Sequence, residues 1–289
     1  MRYSLYLFLL YAFLCFACSA PVAETSSTSA RIVKDDLGRN VQIPNNPKRI
    51  LSLTPSVTEL VYTFVDTAHV IGRSVWCDYP EAVKKVSAVN NYPLDIEAII
   101  RLKPDLILVK KGMISIQDID KLEQLHQTVF VQDYDLLKNI KASVQTLVDI
   151  TKGDSIKMQT WLSALQTDTT AIIKKKKYLA IVSATPIYVF GNMTFVSELF
   201  EALGGENVIH DVQNAYPTID VEYILQADPE LYVFGSEDQK KLFFESHPIL
   251  KKTLGYKNNQ LFVIDDSVLS RPGIRLPILK DSLESIMRK

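Results

Sequence analysis

The 289-residue chain has few cysteines, few histidines and no surplus of one charge, and each shortage removes a class of chemistry. Cysteine occurs only at Cys15, Cys18 and Cys77. With the first two in an N-terminal leader, Cys77 alone remains for the body. No internal disulfide can form there, and no cysteine pair has zinc-ligand spacing. Cys77 is expected to be a half-buried small residue. The four histidines, His69, His126, His210 and His247, never stand four apart and share no short motif with acids, so a zinc or manganese receptor is disfavoured. A formal net charge of -1 gives no broad basic surface, which argues against nucleic acid as a partner. There is no Gly-x-Ser-x-Gly elbow, no Gly-x-Gly-x-x-Gly loop and no Gly-rich Lys-Ser/Thr phosphate loop. What remains is the composition of an ordinary globular protein, 47% hydrophobic and 22% charged.

The N-terminus carries an export signal. Arg2 supplies the positive start, and Leu5 to Phe16 is an apolar run too short for a spanning helix of ~20 residues. Cys18 follows Ala17 in the manner of a bacterial lipoprotein cleavage and lipidation site, although Cys15 departs from the usual aliphatic residue. The alternative is plain secretion with cleavage after Ala20. On the lipoprotein reading, residues 1–18 are the signal segment and 19–30 a flexible Ser/Thr-rich tether. The protein is then exported and held to a bacterial membrane by lipid.

The body contains an internal duplication. The stretch from Asp95 to Val109 aligns without a gap on Asp220 to Phe234. Each copy reads as an aspartate helix cap, a glutamate in the first turn, a short apolar helix, a Pro-acid turn and a strand. Flanking segments recur in the same order. Ile50 to Pro55 resembles Ile181 to Pro186, Thr58-Glu59-Leu60 resembles Ser197-Glu198-Leu199, and Val129-Phe130-Val131 resembles Leu261-Phe262-Val263. The separation is too long for a solenoid, whose units repeat every ~20–50 residues. Two similar lobes with a cleft between them follow. Strand–helix alternation within each lobe predicts a parallel sheet with helices on its faces. The middle differs. From Leu136 to Lys177 there is no proline and one glycine, Gly153, with helical periodicity on both sides. A shorter helix is expected first, then a long one from about Ser155 to Lys175, spanning ~30 Å. Lys174 to Lys177 would form its solvated C-terminal end.

Several segments resemble the cobalamin-binding branch of the ABC-transporter substrate-binding class with a helical backbone. They are Arg49 to Leu60, Asp78-Tyr79-Pro80, Leu102 to Leu106, Gly204 to Asn207 and Ser270 to Gly273. The resemblance spans residues 31 to 289. It implies an α/β fold of two Rossmann-like lobes, 31–137 and 178–289, joined by connecting helices over 138–177 that include a single long backbone helix. Ligand would sit in the cleft between the lobes. It further implies a monomeric, non-enzymatic protein that delivers cobalamin or a related corrinoid to a membrane permease and its ATPase. By the same resemblance Trp76, Tyr79, Tyr92, Tyr188 and Tyr216 line the cleft, as aromatic packing surfaces suit a corrin ring. Asp266 and Arg271 contact the ligand's amides, and Glu97 and Glu222 dock on permease arginines. Tyr92 and Tyr216 replace the tryptophans common in the family, and Lys110 stands where the corrinoid pattern can carry an aromatic. A ferric siderophore or haem is the alternative ligand within the same superfamily. A two-lobed nitrogenase- or chelatase-like enzyme is the alternative of another class, disfavoured by the missing histidine cluster and cluster-binding cysteines. No intrinsic cofactor or metal is expected.

Overall fold

The structure is a computed structural model that describes residues 30–166, 175–210 and 212–289. The signal segment, Cys18 and the tether up to residue 29 lie outside the described residues. The described chain opens with an antiparallel hairpin, β1 (Ala30–Lys34) and β2 (Asn40–Pro44). The first lobe follows as β3 (Ile50–Ser52), α1 (Pro55–Phe64), β4 (Val70–Ser74), β5 (Ser87–Val89), α2 (Ile96–Leu102), β6 (Leu106–Lys110), α3 (Ile116–Gln124) and β7 (Val129–Gln132). Its strands are all parallel, in the order β5-β4-β3-β6-β7. The continuous apolar runs of β6 and β7 are buried on both faces, as helix-covered parallel strands must be.

The connection between lobes is α4 (Leu137–Thr151) and α5 (Ser155–Ala164). The expected single helix from Ser155 to Lys175 is corrected: α5 ends at Ala164 with Leu165 as its C-cap, and residues 167–174 lie outside the described residues. The cause is tertiary. Leu165 is buried in the core, and Lys280 Nζ donates to the carbonyl of Gln166, just past the C-cap, at 3.2 Å. Lys176 and Lys177 open a strand, so this part of the lysine run is not a helix end. α4 and α5 meet at Gly153, where an added Cβ would fall 2.6 Å from the Phe64 carbonyl oxygen. Asp154 then caps α5 by accepting from the Ile156 and Lys157 amides.

The second lobe comprises β8 (Lys176–Ala184), β9 (Ile187–Val189), α6 (Phe195–Ala202), β10 (Gly205–Asn207), α7 (Val221–Ala227), β11 (Leu231–Phe234), α8 (Glu237–Ser246), α9 (Leu254–Lys257), β12 (Leu261–Val263), α10 (Asp266–Leu269) and α11 (Leu276–Met287). Its order is β10-β8-β11-β12, parallel, with β9 folded back antiparallel on β8. The duplicated helices α2 and α7 match in detail. Asp95 accepts from the Ala98 amide at 2.9 Å and Asp220 from the Tyr223 amide at 2.7 Å. Both helices end on a left-handed residue, Lys103 (φ 48°) and Asp228 (φ 46°). The turn acids then tie each copy to the first strand of its sheet. Asp105 accepts from the Lys48 and Arg49 amides, and Glu230 accepts from the Lys177 amide.

Backbone pairing revises one of the sequence matches. β6 aligns Leu106 with Ile50, whereas β11 aligns Leu231 with Tyr178. Tyr178, not Ile181, is therefore the counterpart of Ile50. Aliphatic strands look alike at several offsets, and only the hydrogen-bond register separates them. Ile181 to Ala184 instead pair with β9. One hydrophobic cluster runs through both lobes, joining Val57, Leu60 and Phe64 of α1 to Trp161 of α5 and to Leu276, Leu279 and Leu283 of α11. Trp161 sits edge-on to Phe64 at 6.2 Å and donates to the Ile274 carbonyl at 3.0 Å. Truncating such an aromatic would cost about 3–5 kcal/mol.

Candidate functional site

The loops at the carboxyl ends of the two sheets meet, and their meeting line is charged. From the first lobe come Glu59 on α1 and the loop Trp76–Pro80 after β4. From the second come Arg271 and Arg275, between α10 and α11. Glu59 is 1% exposed and takes a two-pronged contact from Arg275, at 2.6 and 3.1 Å. Arg271 grips Asp78 with two nitrogens at 2.6 and 3.3 Å and reaches Glu59 at 3.3 Å. Planar guanidinium forks suit such paired carboxylate contacts. The Arg271 hydrogen bond holds the Asp78 carboxyl below the usual carboxylate range, with partial burial opposing it. Gly273 makes the approach possible, since a Cβ there would fall 3.1 Å from the Ser56 carbonyl oxygen. The duplicated glutamate of lobe two also reaches across: Glu198 on α6 accepts from the Leu137 amide, at the start of α4.

The aromatic candidates differ in exposure and partners. Trp76 is 62% exposed, Tyr79 47% and Tyr92 86%. The Tyr79 ring lies under the Arg275 guanidinium, 4.9 Å from its centroid. Tyr188, on β9, is also exposed. Tyr216 is half-buried and packs edge-on to Phe190 at 5.8 Å. Burial pushes its phenol up to about 12, helped by Asp135, so the hydroxyl is a neutral donor near neutral pH. Tyr92 and Tyr216 precede matching helix caps, yet their environments differ, solvent for one and the Phe190 face for the other.

The remaining candidates are charged. Glu97 and Glu222 are exposed in the first turns of α2 and α7, where the helix dipole favours an acid. Glu97 has only a loose solvent-exposed pair with Arg101, at 3.7 Å. Asp266 is exposed at the start of α10 and accepts from Ser270 Oγ at 2.6 Å. Lys110 pairs with Asp135 at 2.9 Å, and Lys111 with Asp133 at 3.4 Å. Cys77 is corrected from half-buried to fully buried, at 1% exposure, because its thiol contacts the hydroxyls of Thr58 and Ser74 in a sealed polar cluster. Among the described residues, no group of three or more His, Cys, Asp or Glu side chains could hold a metal ion. Arg275 and Glu59 were not singled out as site residues in the sequence. Glu59 falls in a duplicated motif, but nothing local marks its partner.

Comparison with known proteins adds the family. The model for periplasmic binding proteins matches residues 50–268. The chain belongs to the periplasmic binding protein family. A vitamin B12-binding protein of Vibrio vulnificus (strain CMCP6) is 29% identical over 236 residues, covering 79% of this chain and 85% of the relative. The periplasmic vitamin B12 binding protein BtuF of Vibrio cholerae has a similar structure, with a TM-score of 0.72 at 22% identity over 84% of this chain and 97% of that one. A possible iron-binding, periplasmic solute-binding protein of Staphylococcus epidermidis ATCC 12228 gives 0.73 at 23% identity, covering 84% and 100%. Those structural likenesses establish the shared two-lobed fold.

Proposed function

We propose that this protein is the extracytoplasmic binding component of an ABC importer and captures cobalamin or a related corrinoid between its lobes. One observation carries the choice of ligand. Lys110, Lys111, Arg271 and Arg275, four cations of the facing loops, are each already paired with a carboxylate, while Tyr79 lies exposed against Arg275 and Trp76 is exposed in the same loop. That surface suits a bulky, mostly apolar ligand bearing neutral amides better than an anionic one, whose charges would need free cations. Trp76, Tyr79, Tyr92, Tyr188 and Tyr216 would pack against the ring, with Asp266 and the outer edge of Arg271 meeting its amides. The relative named a vitamin B12-binding protein supports the same reading.

Delivery would use Glu97 and Glu222, one on each lobe, meeting arginines of a membrane permease whose ATPase supplies the energy. The protein itself would act as a monomer, by binding and release rather than catalysis, anchored outside the cytoplasm through Cys18. A ferric siderophore or haem is the second reading, kept because one structural neighbour is named as possibly iron-binding. For haem, Tyr216 or Tyr188 would be the axial ligand, and the colour of the purified protein separates that reading from a corrinoid. Calorimetric titration with cyanocobalamin and cobinamide tests the proposal. Heat and a shift of the corrin visible band at micromolar ligand are expected; neither signal at tens of micromolar would refute it.

A further inference from the structure

We propose that Arg275 is a positioning residue for ligand capture: anchored on Glu59, it holds Tyr79 and its loop in the orientation that receives the ligand. The proposal rests on the corrinoid reading above.

Three sets of donors on Arg275 are engaged at once. Nε and Nη2 serve the Glu59 carboxylate at 3.1 and 2.6 Å, and Nη1 donates to Ser267 Oγ at 2.6 Å. The guanidinium plane is thereby fixed, and its face lies on the Tyr79 ring at 4.9 Å. Beside Tyr79, Asp78 is gripped by both terminal nitrogens of Arg271. Two adjacent residues of a first-lobe loop are thus held by two arginines of the second lobe. Glu59, 1% exposed in the junction, supplies the common acceptor. A simple staple between lobes would need only the Glu59 contacts. The stacking on an aromatic that stays 47% exposed goes beyond that, and it gives the ring a fixed backing while the rest remains open to a ligand. Lysine could keep the charge toward Glu59, but a point charge has neither the plane nor the fork.

Arg275→Lys, Tyr79→Ala and their double variant are made in the full mature chain, alongside Tyr92→Ala, and cyanocobalamin affinity is measured. Arg275→Lys is expected to raise Kd about tenfold. Its effect should be largely absorbed when Tyr79 is already Ala, yet add in full to Tyr92→Ala, because Tyr92 is 86% exposed in a different loop, between β5 and α2. An unchanged Kd, or full additivity with Tyr79→Ala, overturns the proposal. Should Arg275→Lys fail to fold, Ser267→Ala, which removes the acceptor of Arg275 Nη1, takes its place; about threefold weaker binding, again absorbed by Tyr79→Ala, is expected, and wild-type affinity overturns it. Hydrogen exchange of the ligand-free loop 76–79 is measured in the same proteins. If the wild type binds no corrinoid, the ligand reading fails on its own. Loop exchange then decides the positioning role: faster exchange in the variants upholds it, and unchanged exchange overturns it.

Discussion

Removing the Glu59 carboxylate should destabilise the fold by an amount its surroundings define. Glu59→Leu keeps the approximate volume but leaves Arg275 and Arg271 facing an apolar side chain. Breaking a buried pair by deleting one partner costs about 3–5 kcal/mol when the other charge is left buried and unpaired. Here the arginine side chains are 13% and 24% exposed, so they are partly hydrated. Arg275 also keeps Ser267, and Arg271 keeps Asp78. The cost should therefore fall near or below the lower end of that range, about 2–3 kcal/mol. For a chain of this size that corresponds to a Tm about 4–6 °C lower. Scanning calorimetry measures it directly. The pair of Glu59→Leu with Arg275→Met should recover part of the loss, because no arginine then lacks its main acceptor. Glu59→Leu melting at the wild-type temperature, or a double variant that simply sums two losses, would refute the account of the junction.

Other outcomes follow from the same geometry. Glu97→Ala and Glu222→Ala should each bind ligand with wild-type affinity, and the double variant should lose uptake in transport assays; normal uptake by the double variant would mean that the matched acids are only a trace of duplication. The Asp78 carboxyl is held low by Arg271, so its contribution is complete above the unfolded carboxylate value of about 3.9 and is lost as pH falls through the folded value. The share of folding stability that Asp78 contributes should thus be constant from about pH 8 to 5 and shrink below about pH 4, read as a falling urea midpoint, and Asp78→Asn should remove that share. Gly273→Ala should destabilise the lobe junction by about 1 kcal/mol, read as a lower urea midpoint, since the neighbour its Cβ meets is backbone of α1 rather than a flexible side chain.

Much of this architecture was legible because it is local. The caps Asp95 and Asp220, the short apolar helices behind them and the Pro-acid turns each act within a few residues, and both copies fold as their sequence reads. The parallel sheets were legible for the same reason, through short apolar strands alternating with helical periodicity. Features decided by distant partners were not. The end of α5 depends on Leu165 burial and a lysine of α11, so periodicity alone carried the helix too far. The counterpart of Ile50 was set by pairing with β11, which an aliphatic alignment cannot register. Arg271 reads locally as part of a Pro-Gly turn, but it folds onto Asp78 across the junction. Arg275 shows its role only beside Glu59, far away in the chain. The aromatic candidates came from the family resemblance, and the burial that sets Tyr216 apart from Tyr92 comes with its packing on Phe190.

The most direct test of the central claim is a ligand competition on the purified mature protein. Cyanocobalamin, haem and a ferric catecholate siderophore are offered together at equal concentration, unbound ligand is removed by gel filtration, and the visible spectrum of the protein fraction is recorded. The account expects the corrin bands at about one equivalent per chain, with no Soret band and no catecholate charge-transfer band. A protein fraction carrying either of the iron chromophores in place of the corrinoid would contradict it.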